Sequence, residues 1–515
     1  MGWSPIASPA GSPGISAVLA ALPLLALFVL LASGRVKGWI AAATGFLSAF
    51  AVAALAWRMP VGPALAAGLR GAGYALFPIL WILVAALWIY RLSVDSGQFE
   101  IVEATLTGLT PDRRLQVLIV AFAFGAFLEG TAGYGVPVAI ATAMLIGLGF
   151  PPATAALLCL VANSSPVAFA AAGVPVTVAA DVAGVEVMAV SRYLGLLLPP
   201  LSVLVPLWLC VMLCGWKASL EVLPAILVCG ITLAGTQFLA ARLLGPWTTG
   251  VLSGLATLAA LGLLVRFWKP QRVWDFGSAA DATALGAVRS LATTRAPVPI
   301  ARPLRAWSPW LLMSALVLIW GTGLPRALGA PAVLSSPGTA IFLAGCVSTV
   351  ILPGLGPWKA VACFGRTVWS MRWTIVTVCL VLAMAYVMNA SGMSASLGLA
   401  LAATGALFPV FSALIGWVGV LLTGSDTSSN ALFCGLQRTT ADALGLDPAL
   451  MAAANTAGGV TGKMVSPQSL SVAAASAGLT GQEGMLFRRA IAHSIAQALL
   501  VAGLTALAAL ASARS

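Results

Sequence analysis

Charge is what this 515-residue chain has least of. Asp, Glu, Lys and Arg make up 8% of it, where a soluble protein carries roughly 25%. Histidine occurs once, and no carboxylates pair at catalytic spacing, which argues against an intramembrane enzyme. The eight cysteines lie in or beside apolar segments and show no metal-ligand spacing with histidine; they read as small buried hydrophobes. The segment before Ile15 is rich in Pro, Ser and Gly but has no positive charge, so no cleavable signal is expected.

Apolar residues, in contrast, make up 60% of the chain. A bilayer core takes about 20 of them per helix. The runs are continuous, without the alternation of a lipid-facing strand, so an outer-membrane barrel is excluded. The fold class expected is all-α and polytopic. Spans are predicted at 15–34, 38–57, 73–92, 152–174, 188–213, 223–245, 248–267, 308–324, 338–354, 374–390, 449–473 and 491–512. Two further stretches, 115–150 and 408–447, are interrupted by Glu129–Gly135 and Thr423–Asn430. Neither half is expected to cross a bilayer alone, and such backbone is tolerated at membrane depth only inside protein or beside a wet cavity. Both read as re-entrant hairpins.

The net charge of +12 sits between apolar runs, where it sets topology and does not bind nucleic acid. Residues 266–305 carry seven basic and two acidic side chains and are expected on the cytoplasmic side. Counting outward places Arg35, Lys37, Arg91, Arg113, Arg114, Lys217, Lys359, Arg366, Arg372, Arg488 and Arg489 with them, and both termini outside.

The chain also repeats itself. Ser96-Gly97, Gly125–Gly130, Leu148–Pro152 and Ala162–Ser164 recur as Ser391-Gly392, Gly419–Gly424, Leu444–Pro448 and Ala454–Thr456, at offsets of 292 to 296. The units expected are a tail (1–14), a first repeat (15–215), two connecting helices (223–267), a loop (268–307) and a second repeat (308–515). The odd number of spans in between inverts the second repeat. Inverted repeats with broken helices are the mark of secondary transporters, whose sites lie near the midplane.

Polar residues within these runs are the candidate site. Glu129 and Asp426 are expensive at membrane depth; each reads as a proton-coupling carboxylate or as a cap on helix backbone. Lys463, in a Gly- and Ser-rich stretch closed by Pro467, suits an anionic carboxylate beside an exposed helix end; it also suits a pair with Asp426. Val460–Lys463 has the wrong glycine spacing for a phosphate loop. Thr427, Ser428 and Thr461 are expected to help neutralise the carboxylate, and Asn163 and Asn455 to read a substrate hydroxyl. Interhelical hydrogen bonding is the alternative for the asparagines. His493 reads as a packing residue or a proton relay. No cofactor or metal is implied.

Three of these blocks carry a resemblance. Phe124–Ile140, Leu422–Phe433 and Ala454–Ser469 resemble motifs of the L-lactate permease family, bacterial carriers of lactate and glycolate. The resemblance implies a multi-pass protein of the bacterial inner membrane taking up L-lactate, D-lactate and glycolate by proton symport, with Tyr134 as a further substrate contact. Val136 stands where the family pattern has a hydroxyl residue, and Thr131 replaces a smaller one. A sodium-coupled organic-anion carrier of the same architecture, with Asn163 and Asn455 holding the cation, is the alternative; a channel is a more distant one.

Overall fold

The computed structural model describes residues 6, 8–32, 36–133, 135–276, 303–321, 324–331 and 333–512. These residues form helices and turns, with no strand among them. Eleven helical segments are long and apolar enough to cross a bilayer, or twelve if the bent pair Pro152–Ala162 and Val167–Ala183 is one span. The number agrees with the sequence reading; the membership differs. Arg113–Thr131, the first arm of the first expected hairpin, is long enough to cross; the first arm of the second, Phe408–Thr423, reaches that length only together with the helix that begins at Met393. Pro337–Ile351 is shorter than the span expected there.

The reason is where the helices break. Glu129 and Gly130 were expected at an interruption, but the helix runs through them to Thr131, and the next begins at Val136. Gly130 serves packing here: a Cβ on it would come within 2.4 Å of the Gly250 backbone of helix Pro246–Phe267. Thr427 to Asn430 likewise lie inside helix Asp426–Leu444, and the break is at Gly424-Ser425. Gly424, at φ 73°, supplies the left-handed residue that ends the preceding helix.

Both interrupted stretches do fold back on themselves. In the first, Arg113 donates to the carbonyl of Leu148 and its guanidinium lies 5.7 Å from the Phe150 ring centre. Helix Val136–Gly147 therefore returns beside the start of Arg113–Thr131. In the second, Ser429 Oγ donates to Gly416 O at 3.3 Å and Gln437 Nε2 to Ser412 O at 3.3 Å, which pairs the arms antiparallel.

A broken helix follows each hairpin. The segment 152–174, expected as one straight span, bends by 70° between Ala162 and Val167, where Asn163-Ser-Ser-Pro166 cannot sustain helical hydrogen bonding. Residues Ala171, Ala172 and Gly173 then adopt left-handed φ values of 44°, 54° and 72°, costly for the two alanines. In the second half, Pro448–Gly462 stops at Lys463–Val465 and resumes as Pro467–Ser476. Pro467 is the first residue of the new helix, where its missing N–H costs nothing.

Several of the basic residues assigned by charge to one side form ion pairs. Arg114, fully buried, binds Asp112 Oδ2 at 2.7 Å, Glu221 Oε2 at 2.9 Å and the carbonyls of Ala218 and Arg272. Arg113 pairs with Asp275 at 2.9 Å, so residues 272–275 are strapped to the foot of the first hairpin. Arg366 and Asp95 meet at 2.6 Å. Residues 277–302 and Arg35 lie outside the described residues.

The tightest helix contact is made by glycine. A Cβ on Gly416 or Gly458 would sit 1.8 Å from the carbonyl oxygen of Asn455 or Ala413, respectively. Gly416→Ala and Gly458→Ala should each cost about 1–3 kcal/mol through overpacking, read as a lower thermal midpoint of the detergent-purified protein. Gly262→Ala, with nothing within 4 Å, should leave the midpoint unchanged.

Candidate functional site

The tips of both hairpins and both broken helices meet at one cavity of about 630 Å³, counting its mouth. Gly133 and Gly135 come from the first tip, and Gly424, Ser425, Asp426 and Thr427 from the second. Val167, Ala170, Ala171, Val174 and Pro175 border the first helix break; Lys463, Gln468 and Ser469 border the second. Ile79, Leu80, Leu83 and Val378 make an apolar wall opposite.

Each of these polypeptide breaks delivers the beginning of a helix to the cavity. Helices Val136–Gly147, Asp426–Leu444 and Pro467–Ser476 all start there, as does the regular part of Ala170–Ala183 beyond its left-handed residues. Helix starts carry unpaired N–H groups and a partial positive charge. Ser425 Oγ satisfies the Ser428 N–H, and Ser466 Oγ satisfies the Ser469 N–H. The N–H groups of Thr427 and Gln468 accordingly have no partner among the described residues.

Lys463 is 8% exposed, and its Nζ donates to Glu129 Oε1 at 2.5 Å. The pair joins the first hairpin to the second broken helix across 334 positions of sequence. Sequence reasoning offered Asp426 as the lysine's partner because both lie in one repeat; the lysine instead reaches the opposite half. Asp426 is 4% exposed, and neither of its carboxylate oxygens has a hydrogen-bond partner among the described residues. Glu129 Oε2 is also buried without one.

Other expected site residues lie elsewhere. Asn455 is fully buried and absent from the cavity wall. Its amide donates to Asn430 Oδ1 at 2.9 Å and accepts from Gln437 Nε2 at 3.1 Å, while Asn430 donates to Pro175 O at 3.0 Å. That is the interhelical alternative raised for it above. Asn163 caps helix Pro152–Ala162 at the bend, with Oδ1 buried and unpartnered. Thr461 bonds back to Gly458 O at 2.8 Å and Ser428 is buried behind the cavity tip; neither lines the cavity. His493 Nδ1 accepts from Trp208 Nε1 at 3.0 Å and has no bond to the Glu129–Lys463 pair among the described residues. Tyr134 lies outside the described residues. Val136 does not border the cavity, and the Thr131 hydroxyl bonds back to Leu128 O at 3.0 Å.

Sequence reasoning missed Ser425, Gln468 and Ser469. The signal was available as a repeated pattern: a serine N-cap followed by an open N–H two residues later, Ser425-Asp-Thr427 and Ser466-Pro-Gln468.

The family model for L-lactate permease matches residues 16–330 and 326–511. The chain belongs to the L-lactate permease family. The glycolate permease GlcA of Escherichia coli strain K12 is 42% identical, over 98% of each chain. The L-lactate permease of Bacillus subtilis strain 168 is 41% identical, again over 98% of each. A more distant likeness joins it to the Alcanivorax borkumensis YdaH transporter, with 17% identity and a TM-score of 0.45 over 84% of this chain and 85% of that one. With its apolar helices, this member of the permease family is a multi-pass membrane protein.

Removing one partner of a buried pair leaves an uncompensated charge and costs about 3–5 kcal/mol, whereas removing both costs less. Lys463→Met and Glu129→Gln should therefore each destabilise the purified protein at pH 8 more than the double variant does. Additive losses in the thermal midpoint would mean that the two side chains are not coupled.

Proposed function

We propose that the chain is a secondary carrier taking up L-lactate, D-lactate and glycolate by proton symport across the bacterial inner membrane. The observation that carries this reading is the convergence of four helix starts and Lys463 on one cavity beside an unpartnered carboxylate, Asp426. Unpaired N–H groups at helix starts hold an anion without a compensating buried cation. Lys463 and Thr427 add a positive charge and a hydroxyl at the same place, and the wall from Ile79 to Leu83 with Val378 takes the short alkyl part. Relatives named for L-lactate and glycolate at about 40% identity point to the same substrates.

Proton coupling follows from the two carboxylates. Glu129 is committed to Lys463, so that pair is neutral as a unit. Asp426 has no such partner. Ionised, it opposes a carboxylate in the same low-dielectric space; protonated, it does not. A proton on Asp426 and an anion in the cavity thus favour one another. The carboxylate can then compete with Glu129 for the ammonium, loosening the link between the halves so that one repeat rocks against the other.

Radiolabelled L-lactate uptake into proteoliposomes tests this directly. With an inward proton gradient and no sodium, the wild-type protein should accumulate lactate above equilibrium, and collapse of the gradient should abolish the excess. Asp426→Asn should keep exchange of lactate across the membrane but lose gradient-driven accumulation. Uptake that appears only with sodium would overturn proton symport, and normal accumulation by Asp426→Asn would remove Asp426 from the coupling.

A further inference from the structure

A carboxylate fits the helix starts, yet nothing so far distinguishes a 2-hydroxy acid from the plain acid of the same length. The cavity's polar side chains are Ser425, Asp426, Thr427, Lys463, Gln468 and Ser469. Four of them already have a partner or an assigned role. Ser425 is occupied as the cap of Ser428 N–H, and the Ser469 hydroxyl accepts from Ser466 Oγ at 3.1 Å. Lys463 holds Glu129, and an ionised or protonated Asp426 offers a proton site already assigned to the coupling. Thr427 and Gln468 remain, neither with a side-chain hydrogen bond among the described residues.

Gln468 differs from Thr427 in two ways. It is exposed within the cavity, and it holds the only side-chain amide of the wall, with a carbonyl that accepts and an NH₂ that donates. A hydroxyl both donates and accepts, so an amide matches it on both counts, while a carboxylate uses donors alone. Gln468 is also the second residue of helix Pro467–Ser476, and its own N–H is one of the free donors described above. A carboxylate on that N–H therefore lies within reach of the side chain of the same residue. The amide is steered by the facing tip: a Cβ on Gly424 would lie 2.7 Å from Gln468 Oε1, so the side chain rests against the glycine that ends helix Phe408–Thr423.

We propose that Gln468 is the specificity-determining residue that reads the substrate's 2-hydroxyl, a role that sequence reasoning had given to Asn163 and Asn455. The assignment rests on the lactate-carrier reading above. It requires that loss of the amide weaken 2-hydroxy acids and spare acids without the hydroxyl, because the carboxylate contacts stay in place. A site that hydrogen-bonds a hydroxyl discriminates by the unpaired group left when the hydroxyl is missing.

The test uses purified full-length protein in proteoliposomes, with propionate, which lacks only the hydroxyl, as the comparison. Inhibition of radiolabelled L-lactate uptake by unlabelled L-lactate and by propionate gives a preference ratio. Gln468→Met, close to glutamine in length, should reduce apparent lactate affinity about tenfold and leave propionate inhibition unchanged, so the ratio falls about tenfold. Gln468→Asn, which keeps the amide but withdraws it by one carbon, should lower the ratio too and serves if the methionine variant does not fold. Equal shifts for both acids, or none, in a folded variant would overturn the assignment. Thermal stabilisation of the wild-type protein by L-lactate, measured alongside, separates the two levels. A wild-type protein that neither binds nor transports lactate overturns the carrier reading; one that does both, with an unchanged ratio in the variants, overturns only the role of Gln468.

Discussion

An ammonium group buried among apolar helices is the constraint around which the rest of this structure is arranged. Lys463 is tolerated because Glu129 meets it at 2.5 Å, and Glu129, fully buried, is tolerated for the same reason. Neither charge has a cheap alternative at that depth. The two residues lie in different halves of the chain, so the pair ties the halves together. The surrounding backbone is broken where the pair sits, which gives the remaining polar demand somewhere to go. Helix starts supply N–H groups in place of water, and the left-handed Ala171 to Gly173 segment brings one more of them to the same space.

The positions of those breaks depend on contacts that are almost entirely glycine and amide. Helices Phe408–Thr423 and Pro448–Gly462 touch backbone to backbone through Gly416 and Gly458. Asn455, Asn430 and Gln437 then bind helix Pro448–Gly462 to helix Asp426–Leu444, and Asn430 extends the link to Pro175. Small residues permit such close approach and buried amides fasten it, as expected between helices that gain nothing from the hydrophobic effect in lipid. On the other side, Gly130, Gly250 and Gly254 bring Arg113–Thr131 into backbone contact with helix Pro246–Phe267. The second hairpin is therefore fastened to its own broken helix, and the first to a connecting helix. The Lys463–Glu129 pair is a polar bridge between the two assemblies.

Much of this was legible in the sequence, and the failures have a common cause. Apolar run length located helices Pro13–Ala32, Gly38–Leu55, Leu223–Leu243 and Pro246–Phe267 to within a few residues, while 188–213 is two helices and 374–390 is part of the longer Pro357–Ser391; the motifs around Glu129, Asp426 and Lys463 marked the buried charges. Polar residues were taken as interruptions, however, and Glu129 and Thr427 to Asn430 turned out to be helical. Polarity alone does not break a helix whose side chains find partners in the interior. Left-handed glycine does, at Gly424, and so does proline after a serine cap, at Ser466-Pro467. Partner choice was the other failure. A pair of Lys463 with Asp426 was offered as one alternative, but the lysine meets Glu129, 334 positions away. Asn163 and Asn455 aligned in sequence and diverge in structure, one at a helix end and the other in mid-helix. Alignment registers the residue type and not where the helix breaks, and neither asparagine borders the cavity.

The internal pair also bears on how a carrier of the proposed kind releases what it binds. A lone lysine at the head of four helix starts would hold a carboxylate tightly, and tight binding in the resting state opposes turnover. Glu129 is itself a carboxylate, already seated on Lys463. In the proposed carrier an incoming acid would gain the ammonium only by displacing it, so the gain would be a difference between two similar contacts. The helix starts, each equivalent to about half a charge, would then provide the excess that makes binding favourable. On departure the pair would reform and lower the energy of the empty carrier. Affinity would thus be moderated from within by a permanent competitor, with the N–H groups at Thr427 and Gln468 selecting for an anion.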